Sequence, residues 1–175
     1  YDNTVAIAKS MGVKCVRHCV NSGGSNGTAV SYFLYAYQQG YDVLCQFDGD
    51  GQHKASELPK ILGPVVSGQA DCVVGSRFLE KTGFQSYFLR RLGIRLFSFL
   101  LSRMTSLHFT DITSGFRAYG PKVIRFYGHQ YQNAIYDNMN QFLLLAHYSG
   151  AVIQEVPVVM QARAHGISEF NWWNG

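Results

Sequence analysis

Asp48-Gly49-Asp50, followed by Gly51-Gln52-His53, is the densest set of chemically capable side chains in this 175-residue sequence. Two carboxylates separated by one small residue can both reach a hard divalent cation such as Mg²⁺ or Mn²⁺. Such a cation keeps open positions for phosphate oxygens. Gly49 and Gly51 let the backbone turn sharply and come close to a ligand, and Gln52 and His53 add polar groups at the same turn. The same letters also make an ordinary Asp/Gly turn between elements. A calcium-binding EF-hand loop is excluded, because its fifth and sixth positions require a ligand and a glycine, and Gln52 and His53 stand there.

The elements around this turn predict where it sits. Residues 42–47 form a short apolar run, consistent with a buried strand, so the aspartates follow its carboxyl end. That is where open α/β sheets bind ligands. Upstream, a short helix capped by Asp2 or Asn3 ends at Gly12, and Val13 to His18 alternates like a strand. A glycine-rich turn over residues 21–27 precedes a helix from Thr28 to Gln39. Downstream, Ser56 to Ser67 reads as a helix bounded by Pro59 and Pro64, and Asp71 to Gly75 as another buried strand. The alternation of helix and strand predicts an α/β fold with a mostly parallel sheet and helical crossovers. A parallel sheet that opens on a helix is expected to lack its first strand, so the sequence reads as a single domain over residues 1–175 shortened at its N-terminus.

The second half is richer in arginine. Ser86 to Ser102 reads as a helix carrying Arg90, Arg91 and Arg95 among Phe88, Leu92, Phe97 and Phe99, with Arg103 just beyond. Residues 86–105 are therefore a candidate membrane-facing amphipathic helix, or a surface helix with its apolar stripe on the core. Short helices are expected over residues 121–127 and 138–149. A last strand runs over 152–160, with Pro157 marking an edge or a bulge.

Hydrophobic residues make up 47% of the chain and charged residues 15%, with a net charge of +4. This balance excludes intrinsic disorder. Cys15, Cys19, Cys45 and Cys72 form no CxxC pair, which argues against zinc and for a reducing, cytoplasmic setting. No apolar run approaches about 18 residues, so neither a signal peptide nor a membrane span is expected.

Five blocks carry a resemblance. They are Gln46-Phe47-Asp48-Gly49-Asp50-Gly51-Gln52-His53 with the preceding Gly40-Tyr41-Asp42; Gly75-Ser76-Arg77-Phe78; Asp111-Ile112-Thr113-Ser114-Gly115-Phe116-Arg117-Ala118-Tyr119; Glu155-Val156-Pro157-Val158; and Arg163 with Gly166 and Ser168. In order and spacing the sequence resembles the family 2 glycosyltransferases of the GT-A fold, in their dolichyl-phosphate mannosyltransferase-like and bacterial cell-surface polysaccharide branch. The resemblance implies a metal-dependent, inverting enzyme that moves a sugar from a nucleotide-diphosphate donor to a polyprenyl-phosphate or polysaccharide acceptor at the inner face of the membrane, without a nucleic-acid partner. It also implies that Asp48 and Asp50 hold Mg²⁺ or Mn²⁺, joined by Gln52, and that Gly24 and Gly27 belong to a glycine-rich donor loop. Arg77, Arg117 and Arg163 would meet the leaving diphosphate or an acceptor phosphate. Asp111 is the candidate base. Two alternatives remain: a haloacid-dehalogenase-type phosphatase, whose DxD also follows a strand, and a non-catalytic remnant of the transferase fold.

Overall fold

The computed structural model describes residues 3–18, 24–80, 88–130 and 139–161. Helix α1 (Thr4–Ser10) buries none of its residues. The alternating segment after it forms no strand, and Val13 and Val16 are exposed. Alternation predicts a strand only where a partner ladder exists, and none of the described strands pairs with this segment. Helix α2 (Gly24–Gln38) begins four residues before the expected Thr28, so Gly24 and Gly27 lie in its first turn rather than in a loop. Strand β1 (Leu44–Gln46) follows, then a single 3₁₀ turn, then α3 (Leu58–Val66), with Pro59 in its first turn and Pro64 near its end. Proline at a first turn replaces an N–H that has no helical partner anyway.

Strand β2 (Cys72–Ser76) is buried throughout. Helix α4 (Phe88–Thr105) leads to β3 (Arg117–Tyr119), a strand not anticipated from the sequence. Helix α5 (Pro121–Arg125) runs into a π-helical turn over Phe126–Gln130, and α6 (Met139–Tyr148) precedes β4 (Ile153–Pro157). The sheet order is β1-β3-β2-β4. β2 and β4 pair in parallel, whereas β3 runs antiparallel to both β1 and β2. Three strands therefore point one way, as expected, and one short strand is inserted against them. Pro157 ends β4, which is an edge of the described sheet.

The inserted strand decides what surrounds the candidate turn. Arg117 of β3 stands opposite Gln46 and Val74, near the carboxyl ends of β1 and β2. Because β3 is reversed, the loop leading into it reaches the sheet end where β1 and β2 release their own loops.

Period-two alternation divides the core. Cys72, Val74 and Tyr119 face one layer with Phe33, Tyr127 and Phe142, while Val73 and Ala118 face the other with Ile61 and Val65 of α3. Phe33 lies 4.9 Å from Tyr119, 5.1 Å from Tyr127 and 5.0 Å from Phe142 between ring centroids, so aromatic packing anchors α2 to the sheet.

Helix α4 turns Ile94, Ser98, Leu101 and Thr105 inward. Its other side exposes Leu92, Leu96, Phe97, Phe99, Leu100 and Met104 beside the exposed Arg91, Arg95 and Arg103. Among the described residues, no helix is long and apolar enough to cross a membrane.

Candidate active site

The turn after β1 is held by its own backbone and by one ring. The Asp48 N–H donates to His53 Nδ1 at 3.1 Å, and the Gln52 N–H donates to Asp50 Oδ1 at 3.0 Å. Gly51 adopts φ 77°, a left-handed conformation open to glycine at little cost. The His53 ring stacks on Phe116 at 4.7 Å and 19°. Since Nδ1 accepts a hydrogen bond, the ring proton resides on Nε2, which lies 3.9 Å from Asp48 Oδ2. Burial lowers the His53 pKa below the ordinary 6.5, against the opposing pull of the Asp48 and Asp50 carboxylates. The Gln161 N–H donates to the Gln52 carbonyl at 2.9 Å, tying the turn to the segment after β4.

The Asp48 side chain is 46% exposed, whereas that of His53 is only 4% exposed. Against the carboxylate lies Gly115: a Cβ at that position would fall 2.6 Å from Asp48 Oδ2. Only a residue without a side chain fits there with the carboxylate in this position. Among the described residues, no group of three or more His, Cys, Asp or Glu could hold a metal ion. Two carboxylates on one turn are nonetheless a donor set that suits Mg²⁺ or Mn²⁺, whose remaining positions go to water and phosphate oxygens.

Asp111 occupies a different setting. It is fully buried, and both of its oxygens are engaged by Arg77: Nε to Oδ2 at 2.6 Å and Nη2 to Oδ1 at 2.8 Å. The Arg77 N–H adds a bond to Oδ2 at 3.1 Å, and Thr113 Oγ1 donates to Oδ1 at 3.1 Å. In this geometry Asp111 anchors Arg77 and is closed from solvent, whereas a base must come within reach of the group it deprotonates.

Arg117 is enclosed as well. It is fully buried, donating from Nε to the Ser114 carbonyl at 2.8 Å and from Nη2 to the Ile112 carbonyl at 2.6 Å. These bonds brace the loop before β3. Arg77 is likewise 92% hidden, its exposure being 8%. Arg163 lies outside the described residues.

A cleft of about 250 Å³ adjoins Asp48, lined by Thr28 and Tyr32 of α2 and by residues 44–48. The first turn of α2, with Gly24 and Gly27, immediately precedes Thr28. The Tyr32 and Tyr119 hydroxyls both donate to Gln46 Oε1, at 3.2 and 3.1 Å. Burial pushes the Tyr32 pKa up to about 12, so it remains a donor at any physiological pH. A larger hollow of about 480 Å³ near Lys122, Arg125, Phe126 and Ser149 contains none of the motif residues.

Sequence reasoning placed Glu155 in a motif block but gave it no role. Its Oε2 accepts the Thr110 N–H at 2.8 Å and the Thr110 hydroxyl at 2.7 Å, and its Oε1 accepts the Asp111 N–H at 2.9 Å. A carboxylate within an apolar strand is a signal in itself, because a buried charge requires partners.

The model of glycosyl transferase family 2 matches residues 1–128. A UDP-N-acetylglucosamine–dolichyl-phosphate N-acetylglucosaminyltransferase of Methanococcus voltae is 29% identical over 150 residues, covering 83% of this chain and 58% of that protein. An undecaprenyl-phosphate mannosyltransferase of Micrococcus luteus is 35% identical over 111 residues, covering 63% of this chain and 45% of its own length. A polyprenol monophosphomannose synthase of Mycolicibacterium smegmatis is 28% identical over 165 residues, covering 91% and 60%. The chain thus spans 45 to 60% of the length of these relatives.

Proposed function

The chain belongs to glycosyl transferase family 2, and from that premise we propose that it transfers a sugar from a nucleoside-diphosphate donor to a polyprenyl phosphate. Asp48 and Asp50, at the carboxyl end of β1 and kept clear of side chains by Gly115, carry this reading. Together with Gln52 they would hold Mg²⁺ or Mn²⁺, which supplies positive charge to the departing nucleoside diphosphate. The α2 side of the cleft, Thr28 and Tyr32, receives the donor, with Gly24 and Gly27 in the helical turn just before it. Arg163 meets the leaving diphosphate or the acceptor phosphate. Family membership removes the dehalogenase alternative.

The setting of Asp111 supports the acceptor class. Transfer to a sugar hydroxyl needs a carboxylate to take a proton. A phosphate monoester is already an oxyanion at neutral pH and attacks the anomeric carbon without such help. With Asp111 engaged by Arg77, a lipid-phosphate acceptor suits the residues better than a polysaccharide hydroxyl. The names of three relatives agree in kind. In-line attack opposite the leaving group inverts the anomeric centre. The exposed apolar and arginine-bearing side of α4 would rest on the anionic cytoplasmic leaflet where such acceptors reside. Arg91 of α4 lies 5.9 Å from the Phe78 ring centroid and Arg77 lies 5.4 Å from it, so this helix borders the site.

The test uses the full-length protein. Thermal stabilisation by UDP, GDP and dTDP is measured with and without Mn²⁺, then repeated with Asp50→Ala. Stabilisation by one nucleotide that requires Mn²⁺ and vanishes in the variant is the expected result; silence toward all three rejects the reading.

A further inference from the structure

Residues of two motif blocks, Ser76 and Glu155, meet through Thr110, which adjoins a third, in one hydrogen-bonded chain whose direction can be assigned. Ser76 Oγ accepts the Phe78 and Leu79 N–H groups, each at 3.1 Å. Its own proton is then free to go to Thr110 Oγ1, 2.6 Å away, and the Thr110 proton goes to Glu155 Oε2. The chain runs from the loop after β2, through the loop before β3, to a carboxylate on β4. With its three bonds, Glu155 fixes residues 110 and 111. Arg117 fixes the carbonyls of Ile112 and Ser114, and the Gly75 N–H holds the Phe116 carbonyl at 2.8 Å. The loop that sets Gly115 against Asp48 is therefore pinned at its start, middle and end.

We propose that Glu155 is a positioning residue for the metal-binding turn, acting through Thr110 and the 110–116 loop to hold Gly115 against the Asp48 carboxylate. This rests on the reading of Asp48 and Asp50 as metal ligands. Glu155 touches neither of them, and it acts by fixing the surface on which Asp48 settles. A carboxylate is required because all three bonds to it come from donors. A glutamine would turn an N–H₂ toward at least one of them.

Glu155→Gln, Thr110→Val and Thr110→Ser in the full-length protein test this. Two quantities are read: amide hydrogen exchange across residues 110–116, and the Mn²⁺ concentration for half-maximal thermal stabilisation with whichever of UDP, GDP or dTDP stabilises the wild type. Glu155→Gln should speed exchange in the loop at least tenfold and raise the half-saturating Mn²⁺ about tenfold, the scale set by partners behind metal ligands. Protection of α2 and α6 should be retained. Thr110→Val should shift both readings in the same direction by less, and Thr110→Ser, which keeps the hydroxyl, should match the wild type. A loosened loop with unchanged Mn²⁺ half-saturation overturns the proposal, as does unchanged loop protection in Glu155→Gln. A wild type deaf to every Mn²⁺–nucleotide pair instead withdraws the transferase reading, and this proposal with it.

Discussion

Asp48 and Asp111 sit on neighbouring loops at one end of the same sheet, and their carboxylates live under opposite conditions. Asp48 is 46% exposed and faces a residue with no side chain. Asp111 is fully buried, with two prongs of a guanidinium on its two oxygens. Read as letters, both open a glycine-bearing motif and both look reactive. Their surroundings divide the labour: the open carboxylate is available to a ligand, and the closed one holds the frame. A buried arginine pair contributes fixed geometry at considerable desolvation cost, and the half-exposed turn keeps the freedom that exchange of water and phosphate requires.

The largest effect should come from breaking the closed side. Asp111→Ala removes the carboxylate that Arg77 grips, and should cost about 3–5 kcal/mol of stability by urea unfolding. A variant as stable as the wild type would erase the contrast. Asp48→Asn should do the reverse: stability within about 0.5 kcal/mol of wild type, but sugar transfer reduced about 100- to 1000-fold in kcat/KM, the scale of losing one charge-stabilising group. Gly115→Ala probes the boundary between the two regions. Its methyl must displace the mobile end of Asp48 rather than backbone, so Mn²⁺-dependent nucleotide affinity should fall about tenfold while Tm moves little. A Tm collapse instead would show that the loop, and not the carboxylate, had yielded.

The smallest effect concerns His53. Its pKa is lowered in the folded protein, mainly by burial, so the unfolded chain takes up a proton first as the medium acidifies. The stability this group supports is complete above its ordinary value of 6.5 and is lost as pH falls through the lower, folded value. In EDTA, Tm should decline as the pH falls below the ordinary value of 6.5, and His53→Gln should flatten that decline. An identical slope in both proteins would assign the pH dependence to other groups.

The Asp48–His53 turn and its position after a strand were legible because both are local, a short apolar run and then glycines and carboxylates, although that strand is half-buried rather than buried. Both Asp71 to Gly75 and residues 121–127 were legible for the same reason. β3 was not, since three residues, Arg117–Tyr119, are too few to display alternation, and one of them is a charged residue. Arg117 resembled a phosphate ligand because sequence shows charge and not direction; its guanidinium points into backbone carbonyls. Val13 to His18 shows the converse, a pattern of alternation without a described strand to pair with. Glu155 was seen as part of a motif block, but its partners were not, because they lie 44 and 45 residues away.

Those separations have a consequence for how the molecule is made. The Ser76–Thr110 bond spans 34 residues and the Thr110–Glu155 bond spans 45. Pairings so remote in sequence form late, since closing long loops costs entropy before any contact rewards it. On the proposed role of Glu155, Gly115 is held against Asp48 only once β2, β3 and β4 have docked. On that reading a folding chain carries Asp48 and Asp50 as two ordinary hydrated carboxylates until the sheet closes, and the proposed site is completed by β4 rather than by the motif alone.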